Sequence, residues 1–405
     1  MSFDALADAV RVNDIGRATN VLAANPELKS ELNGPAPGGD FGSTILLPAV
    51  QHQNREMIDL LISHGADINQ RSHWWAGSFG LLDFCEPDFA PFLIERGATV
   101  DAHAAARLGM LEKLESIVSA SPEVVHARGG DGQTPLHSAK NTEIAQYLLD
   151  HGAGIDTRDI DHESTPAQWM MRDRRDVARF LVSRGAQTDI LMASAFGDLP
   201  RVRKYLDDDP NSIHTTVSAK YFPMKDSRAG GTIYIWTLGG NKTPHMIARE
   251  CGHDEIFALL MERSSDELKL SQACLLGDKA TFDLLLERRP DIARNLSDEE
   301  RHALVVAAEQ DNTEAVLLML EAGWPTDVRG MDNGTALHIA AWFGNVEMVR
   351  ALLKHGARAD VRGDTYNATP LGWAEHGSRN CWRRDSGDYP GTIQALLDAG
   401  GGAST

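Results

Sequence analysis

The chain has 405 residues, of which 42% are hydrophobic and 24% are charged, and these fractions are typical of a folded rather than a disordered protein. Its formal net charge of −19 repels phosphate backbones, and its short basic clusters are interrupted by aspartates, so we expect no nucleic-acid partner. No segment approaches the roughly 18 consecutive apolar residues of a membrane span, and the N-terminus lacks signal-peptide features. We therefore expect a cytoplasmic protein that does not contact membranes, and its four scattered cysteines are consistent with reduced thiols.

Short glycine turns recur along the chain at a nearly constant spacing. Gly65 and Gly97 are 32 residues apart, and Gly152 and Gly185 are 33 residues apart. Each of these glycines precedes an alanine and ends a segment of helical hydrophobic periodicity, where glycine can take a positive φ angle. Other segments open with Thr-Pro, because threonine caps free N–H groups and proline needs no hydrogen-bond donor in a first helical turn. The spacing predicts helix-turn-helix repeats of about 33 residues.

The most regular of these segments lies at residues 334–360. It reads Gly-Thr-Ala-Leu-His-Ile-Ala-Ala from Gly334, continues with Gly-Asn-Val-Glu-Met-Val from Gly344 and closes with His-Gly-Ala from His355. From end to end this segment resembles the ankyrin repeat. The resemblance implies an all-α solenoid of about twelve helix-turn-helix units with short turns, and it covers about nine tenths of the chain. The units are predicted to open near residues 3, 43, 77, 102, 133, 164, 190, 242, 266, 300, 334 and 368.

The whole chain is interpreted as a single solenoid without separate globular domains, because each repeat buries its apolar face against its neighbours. Units that lack the Thr-Pro opening, such as the one closing at Ser121-Pro122, are interpreted as degenerate repeats that keep their helix pairs. Terminal repeats need a polar outer face, so we expect a cap at each end. Within 1–405 the predicted parts are an N-terminal capping unit at 1–33, repeats at 34–214, an aromatic insertion at 215–240, repeats at 241–389, and a C-terminal cap and tail at 390–405.

Three segments interrupt the repeat pattern, and function is expected there because regular repeats mainly carry the fold. They are the loop at 33–42, the insertion at 215–240 and the segment at 378–389. Within the insertion, Thr232–Thr237 is rich in β-branched and aromatic residues and follows two glycines, which favours one strand of a small β-hairpin. Since insertions in ankyrin arrays project near the concave side, the resemblance implies that these segments can share one surface.

Aromatic residues provide the predicted binding surface, because exposed aromatic side chains are typical hot spots of recognition. In the resemblance, Trp342 and Phe343 occupy the two variable positions that ankyrin proteins use for contacts. For Trp169 and Trp373, which lie on first helices, packing between irregular repeats is an equally good interpretation. The predicted binding residues are Trp74, Trp75, Trp169, Tyr234, Trp236, Trp342, Phe343, Trp373, Trp382, Arg383 and Tyr389.

Two pairs of neighbouring residues have the side chains that general acid–base catalysis requires. They are Asp161 with His162 and Glu375 with His376. Such residues are also frequent in ankyrin turns, where they hydrogen-bond along the array. Cys251 and His253 match the helix connection of the family, so we predict no zinc site, and the absence of nucleotide-binding and hydrolase motifs predicts no metal or cofactor.

Two functions remain open on this evidence. The first is a recognition scaffold that binds a protein or peptide on its concave face, with acidic turns that favour a basic partner. The alternative is a protein that binds a small polar, carbohydrate-like ligand, or an enzyme, with its site where 73–86, 215–240 and 378–389 converge. Whether the protein is an enzyme is not decided by its sequence.

Overall fold

The computed structural model describes residues 2–363, 365 and 367–401, and their regular secondary structure is helical, apart from one isolated bridge between Arg329 and Thr335. This confirms the prediction of an all-α solenoid of helix-turn-helix units. The end of the predicted C-terminal tail, at 402–405, lies outside the described residues. Among the helices that are described, none combines the length and the apolar character needed to cross a bilayer.

Clustering of contacts divides the chain into two compact units. Residues up to 201 together with 214–243 form the first unit, and 202–213 together with the residues from 244 onward form the second. The division falls within one helix, α12, Leu199–Asp208. The first unit contains α1 Ser2–Arg11, α2 Ile15–Ala24, α3 Leu46–Gln51, α4 Arg55–Ser63, α5 Ala90–Glu95, α6 Ala102–Leu108, α7 Leu111–Ala120, α8 Thr142–Asp150, α9 Pro166–Trp169, α10 Arg175–Ser183 and α11 Ile190–Phe196.

The second unit continues with longer helices. Its core is one cluster of buried apolar side chains that extends from Met246 to Leu396. Each helix contributes apolar residues at helical spacing, which bury the seam between neighbouring repeats. The helices are α13 Pro244–Glu250, α14 Asp254–Arg263, α15 Asp266–Leu276, α16 Lys279–Arg288, α17 Asp298–Glu309, α18 Thr313–Ala322, α19 Ala336–Phe343, α20 Val346–Lys354, α21 Pro370–Asn380 and α22 Tyr389–Asp398.

The second helix of several repeats begins after a capping asparagine and ends at the glycine turn that the repeat pattern predicts. The side chains of Asn54 and Asn345 accept hydrogen bonds from backbone N–H groups three residues on, at 2.9 and 3.0 Å. Gly65, Gly152 and Gly356 follow helix ends with φ angles of 105°, 91° and 90°. A side chain at these glycines would be strained, which explains why the turn pattern could be recognised in the sequence.

Buried histidines connect neighbouring repeats in both units. Nδ1 of His137 and of His338 accepts the N–H of Thr134 and of Thr335, at 3.0 and 3.1 Å. The opposite ring nitrogen of each lies 3.3 Å from the carbonyl oxygen that precedes the next Thr-Pro opening. Both rings are fully buried, and burial lowers the pKa of His137 to about 3 and that of His338 to about 4. These contacts give both histidines a structural role between neighbouring repeats.

The first unit differs from a regular array in the length of its first helices. The opening at Thr134 yields only the single turn Pro135–Ser138, and α9 has four residues. The repeat predicted near residue 77 has two single turns, Leu81–Asp83 and Pro87–Phe89, where a first helix was expected. These shortened elements leave space beside the turns that precede them.

The prediction of a β-hairpin in the insertion is wrong. Residues Ile235–Gly239 form a short π-helical turn, and Tyr234 is completely buried with its hydroxyl donating to Asp189 at 2.8 Å. The N–H of Ile233 donates to the hydroxyl of Ser164 at 3.1 Å, so the segment is docked on a neighbouring turn. Tertiary contacts thus override the strand preference of β-branched and aromatic residues.

Candidate functional site

A tight turn at residues 159–164 carries the predicted pair Asp161 and His162. The buried carboxylate of Asp159 accepts the N–H groups of His162 and Ser164 at 2.8 and 2.6 Å, which closes the turn. Burial raises the pKa of Asp159, and these two hydrogen bonds oppose that shift. Because the Asp159 carboxylate fixes the backbone of the turn, the side chains of Asp161 and His162 are held in defined directions.

The insertion docks on this turn and orients both predicted side chains. The N–H of Gly230 donates to the carbonyl oxygen of Asp161 at 2.9 Å and to its Oδ1 at 3.2 Å. Nδ1 of His162 lies 2.7 Å from the carbonyl oxygen of Gly231. A carbonyl oxygen only accepts, so Nδ1 carries a proton and donates, and Nε2 points away from the insertion.

A third ionisable residue, Asp131, joins this pair from the preceding repeat. It lies in the glycine-rich turn Gly130–Gly132 with a φ angle of 54°. Its Oδ1 accepts the indole N–H of Trp74 at 3.0 Å. Burial raises the pKa of Asp131 to about 6; nearby Asp161 adds to this shift, whereas His162 opposes it.

One ligand-type atom from each of Asp131, Asp161 and His162 lies within 4.8 Å of the others. Their exposed fractions are 6%, 5% and 8%, so all three are buried. The shortest recorded approach, 3.6 Å, joins Asp161 Oδ2 to His162 Nε2. Two carboxylates and an imidazole in this arrangement can exchange protons with a ligand or hold a cation.

The cluster forms part of the floor of a groove in the first unit, with a volume of about 1000 Å³. Trp169 also lines the groove, and its ring meets His162 edge to face, with centroids 5.2 Å apart. Other lining residues are basic, namely Arg107, Lys140, Arg172, Arg174 and Arg228. Asp83, Glu86 and Asp173 line it as well, so the groove carries both acidic and basic side chains around its buried acidic cluster.

Aromatic residues form one side of this groove. The ring of Phe41 meets Trp74 edge to face at 5.2 Å and also contacts Phe79 at 5.3 Å. Trp236 lines the same groove with 63% of its surface exposed. The guanidinium of Arg228 lies 4.3 Å from the ring centroid of Trp75 and so links the insertion to the loop at 73–86. Two of the three segments predicted to share a surface therefore lie together in the first unit.

The second unit has a separate aromatic cluster, made by Trp342, Phe343, His376 and Trp382. The ring of Trp342 stacks on His376 at 5.6 Å and lies 6.3 Å from Trp382. Trp382 is 73% exposed and meets Phe343 edge to face at 5.6 Å. In this cluster the ring of Trp382 is exposed, that of Trp342 is partly buried and that of Phe343 is buried.

Four of the predicted binding residues are buried and are therefore not exposed anchors; for Trp373 this agrees with the alternative interpretation of packing between repeats. They are Tyr234, Phe343, Trp373 and Tyr389, with exposed fractions between 0 and 7%. Trp373, for instance, meets the ring of His338 edge to face, with centroids 5.3 Å apart. Tyr389, for example, donates its hydroxyl proton to the carbonyl oxygen of Trp342 at 2.8 Å and so attaches the last helix to the preceding repeat.

The second predicted catalytic pair, Glu375 and His376, is exposed on α21. Nδ2 of Asn380 lies 3.2 Å from Nδ1 of His376. Arg383, also predicted to bind, forms an ion pair with Asp311 at 3.1 Å. Among the described residues no carboxylate pairs with His376, which leaves this pair without the arrangement seen at Asp161 and His162.

Three site residues were missed by the reasoning from sequence: Asp131, Phe41 and Arg228. Asp131 lies in a Gly-Gly-Asp-Gly run that reads as an ordinary turn. The available signal was its position three residues before a Thr-Pro opening, which is the position that His162 has relative to Thr165. Aligning the two turns would have suggested that their side chains converge.

The fold and the groove define a helical-repeat protein whose binding surface is built from the turns between repeats. Models of the family described as ankyrin repeats match residues 102–192, 270–362 and 304–383, and a single ankyrin-repeat model matches 41–73. Together these segments span more than half of the chain. The chain therefore belongs to the ankyrin-repeat family.

Several curated proteins resemble the chain over part of their own length. It is 24% identical to the E3 ubiquitin-protein ligase KEG of Arabidopsis thaliana over 284 residues, which is 64% of this chain and 17% of that protein. It is 32% identical to protein PhlB of Serratia liquefaciens over 104 residues, 26% of this chain and 45% of that protein. It is 26% identical to the human transient receptor potential cation channel subfamily A member 1 over 294 residues, 70% of this chain and 22% of that protein. The chain spans less than half the length of each of these relatives.

Proposed function

We propose that this protein is a cytoplasmic recognition scaffold that binds a protein or peptide partner in the groove of its first unit. The observation that carries the proposal is the groove itself, which combines a volume of about 1000 Å³ with exposed Phe41 and Trp236. Ankyrin-type solenoids use concave surfaces for binding, and an exposed aromatic ring beside a desolvated floor is typical of a binding hot spot.

The partner that we propose for this groove is a basic segment whose cationic side chain reaches the buried acidic cluster. The buried carboxylates of Asp131 and Asp161 provide a binding partner for a lysine or arginine side chain. Trp74 and Phe41 provide aromatic faces for its aliphatic part and its charge. The net charge of −19 further favours the approach of a cationic partner.

The test is selection from a random-peptide display library on the full chain, followed by fluorescence anisotropy with synthetic copies of the selected peptides. We expect enrichment of peptides with lysine or arginine and at least tenfold weaker binding to Trp236→Ala, because a central aromatic contact is commonly worth more than about 1.4 kcal/mol. Trp382→Ala is the matched control, since it removes an equally exposed tryptophan from the second unit.

Equal binding of the selected peptides to wild type and to Trp236→Ala would contradict the groove as the binding surface. Loss of binding in Trp382→Ala instead would move the surface to the cluster of Trp342, Phe343, His376 and Trp382. That cluster was predicted from the variable positions of the repeat, and Trp382 is the most exposed of its rings.

A second function is favoured by one specific observation, the convergence of three buried ionisable side chains in a groove of ligand size. In this alternative the groove binds a small polar ligand, such as a carbohydrate, and Asp131, Asp161 and His162 hold or transform it. A thermal-shift screen with a metabolite library distinguishes the two proposals. Stabilisation by one compound class, lost in Asp161→Asn, would favour the small ligand over the peptide.

A further inference from the structure

We propose that Asp131, Asp161 and His162 bind one divalent transition-metal ion, zinc or manganese, at the floor of the groove. The ion would occupy the carboxylates that are proposed above to bind a lysine or arginine side chain, so a metal ion and a basic peptide side chain are expected to compete for them. It also departs from the prediction of no metal, which considered residues close in sequence, whereas these ligands come from two turns about 30 residues apart.

The orientation of the histidine is the first argument. Nδ1 donates its proton to the carbonyl oxygen of Gly231, which leaves Nε2 of the neutral ring with a lone pair. Nε2 points at Asp161 Oδ2, and the 3.6 Å between them is too long for a charge-assisted hydrogen bond. The side chain of His162 is nine-tenths buried, so water does not surround this nitrogen. A lone pair that faces a carboxylate oxygen at this distance is stabilised by a cation between them.

Each of the two carboxylates, like the imidazole, has one atom held by a hydrogen bond and one atom available to a ligand. Asp161 Oδ1 accepts the N–H of Gly230, and Asp131 Oδ1 accepts the indole N–H of Trp74. Among the described residues no donor is recorded within hydrogen-bond distance of Oδ2 of either aspartate. Metal ligands are commonly held like this, with one atom fixed by an outer hydrogen bond and the other free to coordinate.

The donor set selects the class of ion. One imidazole nitrogen with two carboxylate oxygens suits zinc or manganese, whereas calcium and magnesium prefer oxygen ligands alone. Ligand bonds of about 2.0–2.2 Å place neighbouring ligands roughly 3–3.5 Å apart, so a pair of ligand atoms separated by the full 4.8 Å needs to approach by roughly 1.3–1.8 Å. Two carboxylates neutralise a divalent ion, and three protein ligands leave one or more positions that face the groove.

The test is isothermal titration calorimetry of the full chain after removal of metal by chelation. We expect one Zn²⁺ or Mn²⁺ site per chain with a dissociation constant of about 1 μM or below, and at least 100-fold weaker binding of Mg²⁺. Asp161→Asn and His162→Gln should each weaken binding at least tenfold. Asp173→Asn is the matched control, because Asp173 lines the same groove with an exposed side chain outside the cluster.

Absence of a one-to-one site, or wild-type affinity in His162→Gln, would overturn the proposal in favour of an imidazolium–carboxylate pair. Circular dichroism of the metal-free variants separates loss of the site from loss of folding. If Asp161→Asn does not fold, Trp74→Phe serves instead: it removes the donor to Asp131 and should weaken binding several-fold. In zinc-soaked crystals, an anomalous peak about 2.0–2.2 Å from Nε2 of His162 is expected, and a peak elsewhere would count against the site.

Discussion

The repeats that open at Thr134 and Thr335 begin alike and continue differently. Both start with Thr-x-Leu-His and use the same buried histidine contact. Six residues separate Thr134 from the next helix cap, Asn141, whereas nine separate Thr335 from the corresponding Asn345. The first repeat therefore lacks about one helical turn, and its first helix is the single turn Pro135–Ser138.

The difference shows how one repeat fold can provide either packing or a site. In the second unit, α19 and α21 approach so closely that a Cβ on Gly377 would lie 2.3 Å from the carbonyl oxygen of Trp342. In the first unit, the shortened helices end at residues that line the groove, including Ser138 and Trp169. The missing helical turn therefore coincides with a groove beside the turns that carry the buried ionisable residues.

The largest effect on the free energy of unfolding is expected from Gly377→Ala. The added methyl group meets backbone atoms that cannot move without separating α19 from α21, so we expect a loss of about 3 kcal/mol in the free energy of unfolding. Urea denaturation followed by circular dichroism measures this. Gly16→Ala in α2 is the matched control; its Cβ would meet only Asp14 Oδ1 at 3.6 Å, so stability should be unchanged or slightly higher. Similar behaviour of the two variants would mean that the long helices are not packed at backbone distance.

An intermediate loss of stability is expected at acidic pH, and it should affect the repeats that open at Thr134 and at Thr335. The pKa of His137 and of His338 is far below the ordinary value of 6.5 in the folded protein, because both rings are buried. The unfolded chain therefore binds protons first, and the stabilisation present above pH 6.5 is lost as the pH falls. At pH 5 the loss is about 2 kcal/mol for each histidine.

A glutamine variant checks this assignment, because Gln168 already accepts the N–H of Thr165 in the equivalent position at 2.9 Å. His137→Gln should keep the fold and reduce the dependence of the urea midpoint on pH between 6.5 and 5. An unchanged pH dependence in both His137→Gln and His338→Gln would show that other groups titrate in this range.

The smallest effect on stability is expected from lengthening the first helix of the Thr134 repeat to the length that it has in the Thr335 repeat. Replacing Ser138–Lys140 by the six residues Ile-Ala-Ala-Trp-Phe-Gly of the second unit gives the Thr134 repeat the spacing of the Thr335 repeat. We expect a first helix of ordinary length, stability within about 1 kcal/mol, and at least tenfold weaker binding of groove ligands. Anisotropy and calorimetry measure the binding. Unimpaired binding with increased helicity would show that helix shortening does not create the groove.

The fold could be predicted because ankyrin positions have local physical requirements. A positive φ angle at Gly65 or Gly356 and a capping asparagine at Asn345 leave direct marks in the sequence. The strand expected at Thr232–Thr237 failed because its conformation is set by contacts with a turn about 70 residues earlier.

The site was only partly predictable for a related reason. Asp161, His162 and Trp74 were named from their chemistry, yet their association with Asp131 depends on how successive turns stack. Burial of Phe343 depends on the ring of Trp382, which comes from a later irregular segment. Residue types alone do not distinguish an anchor from a packing residue in such places.

The hydrogen bond from His162 to Gly231 joins residues 69 positions apart, and it gives the insertion a role beyond covering the groove. Thr232, Ile233 and Tyr234 are buried, so this part of the insertion is packed on the repeats and determines which ring nitrogen of His162 carries the proton. The tautomer that the imidazole presents to the groove is therefore set by a stretch of chain that lies far from it in sequence.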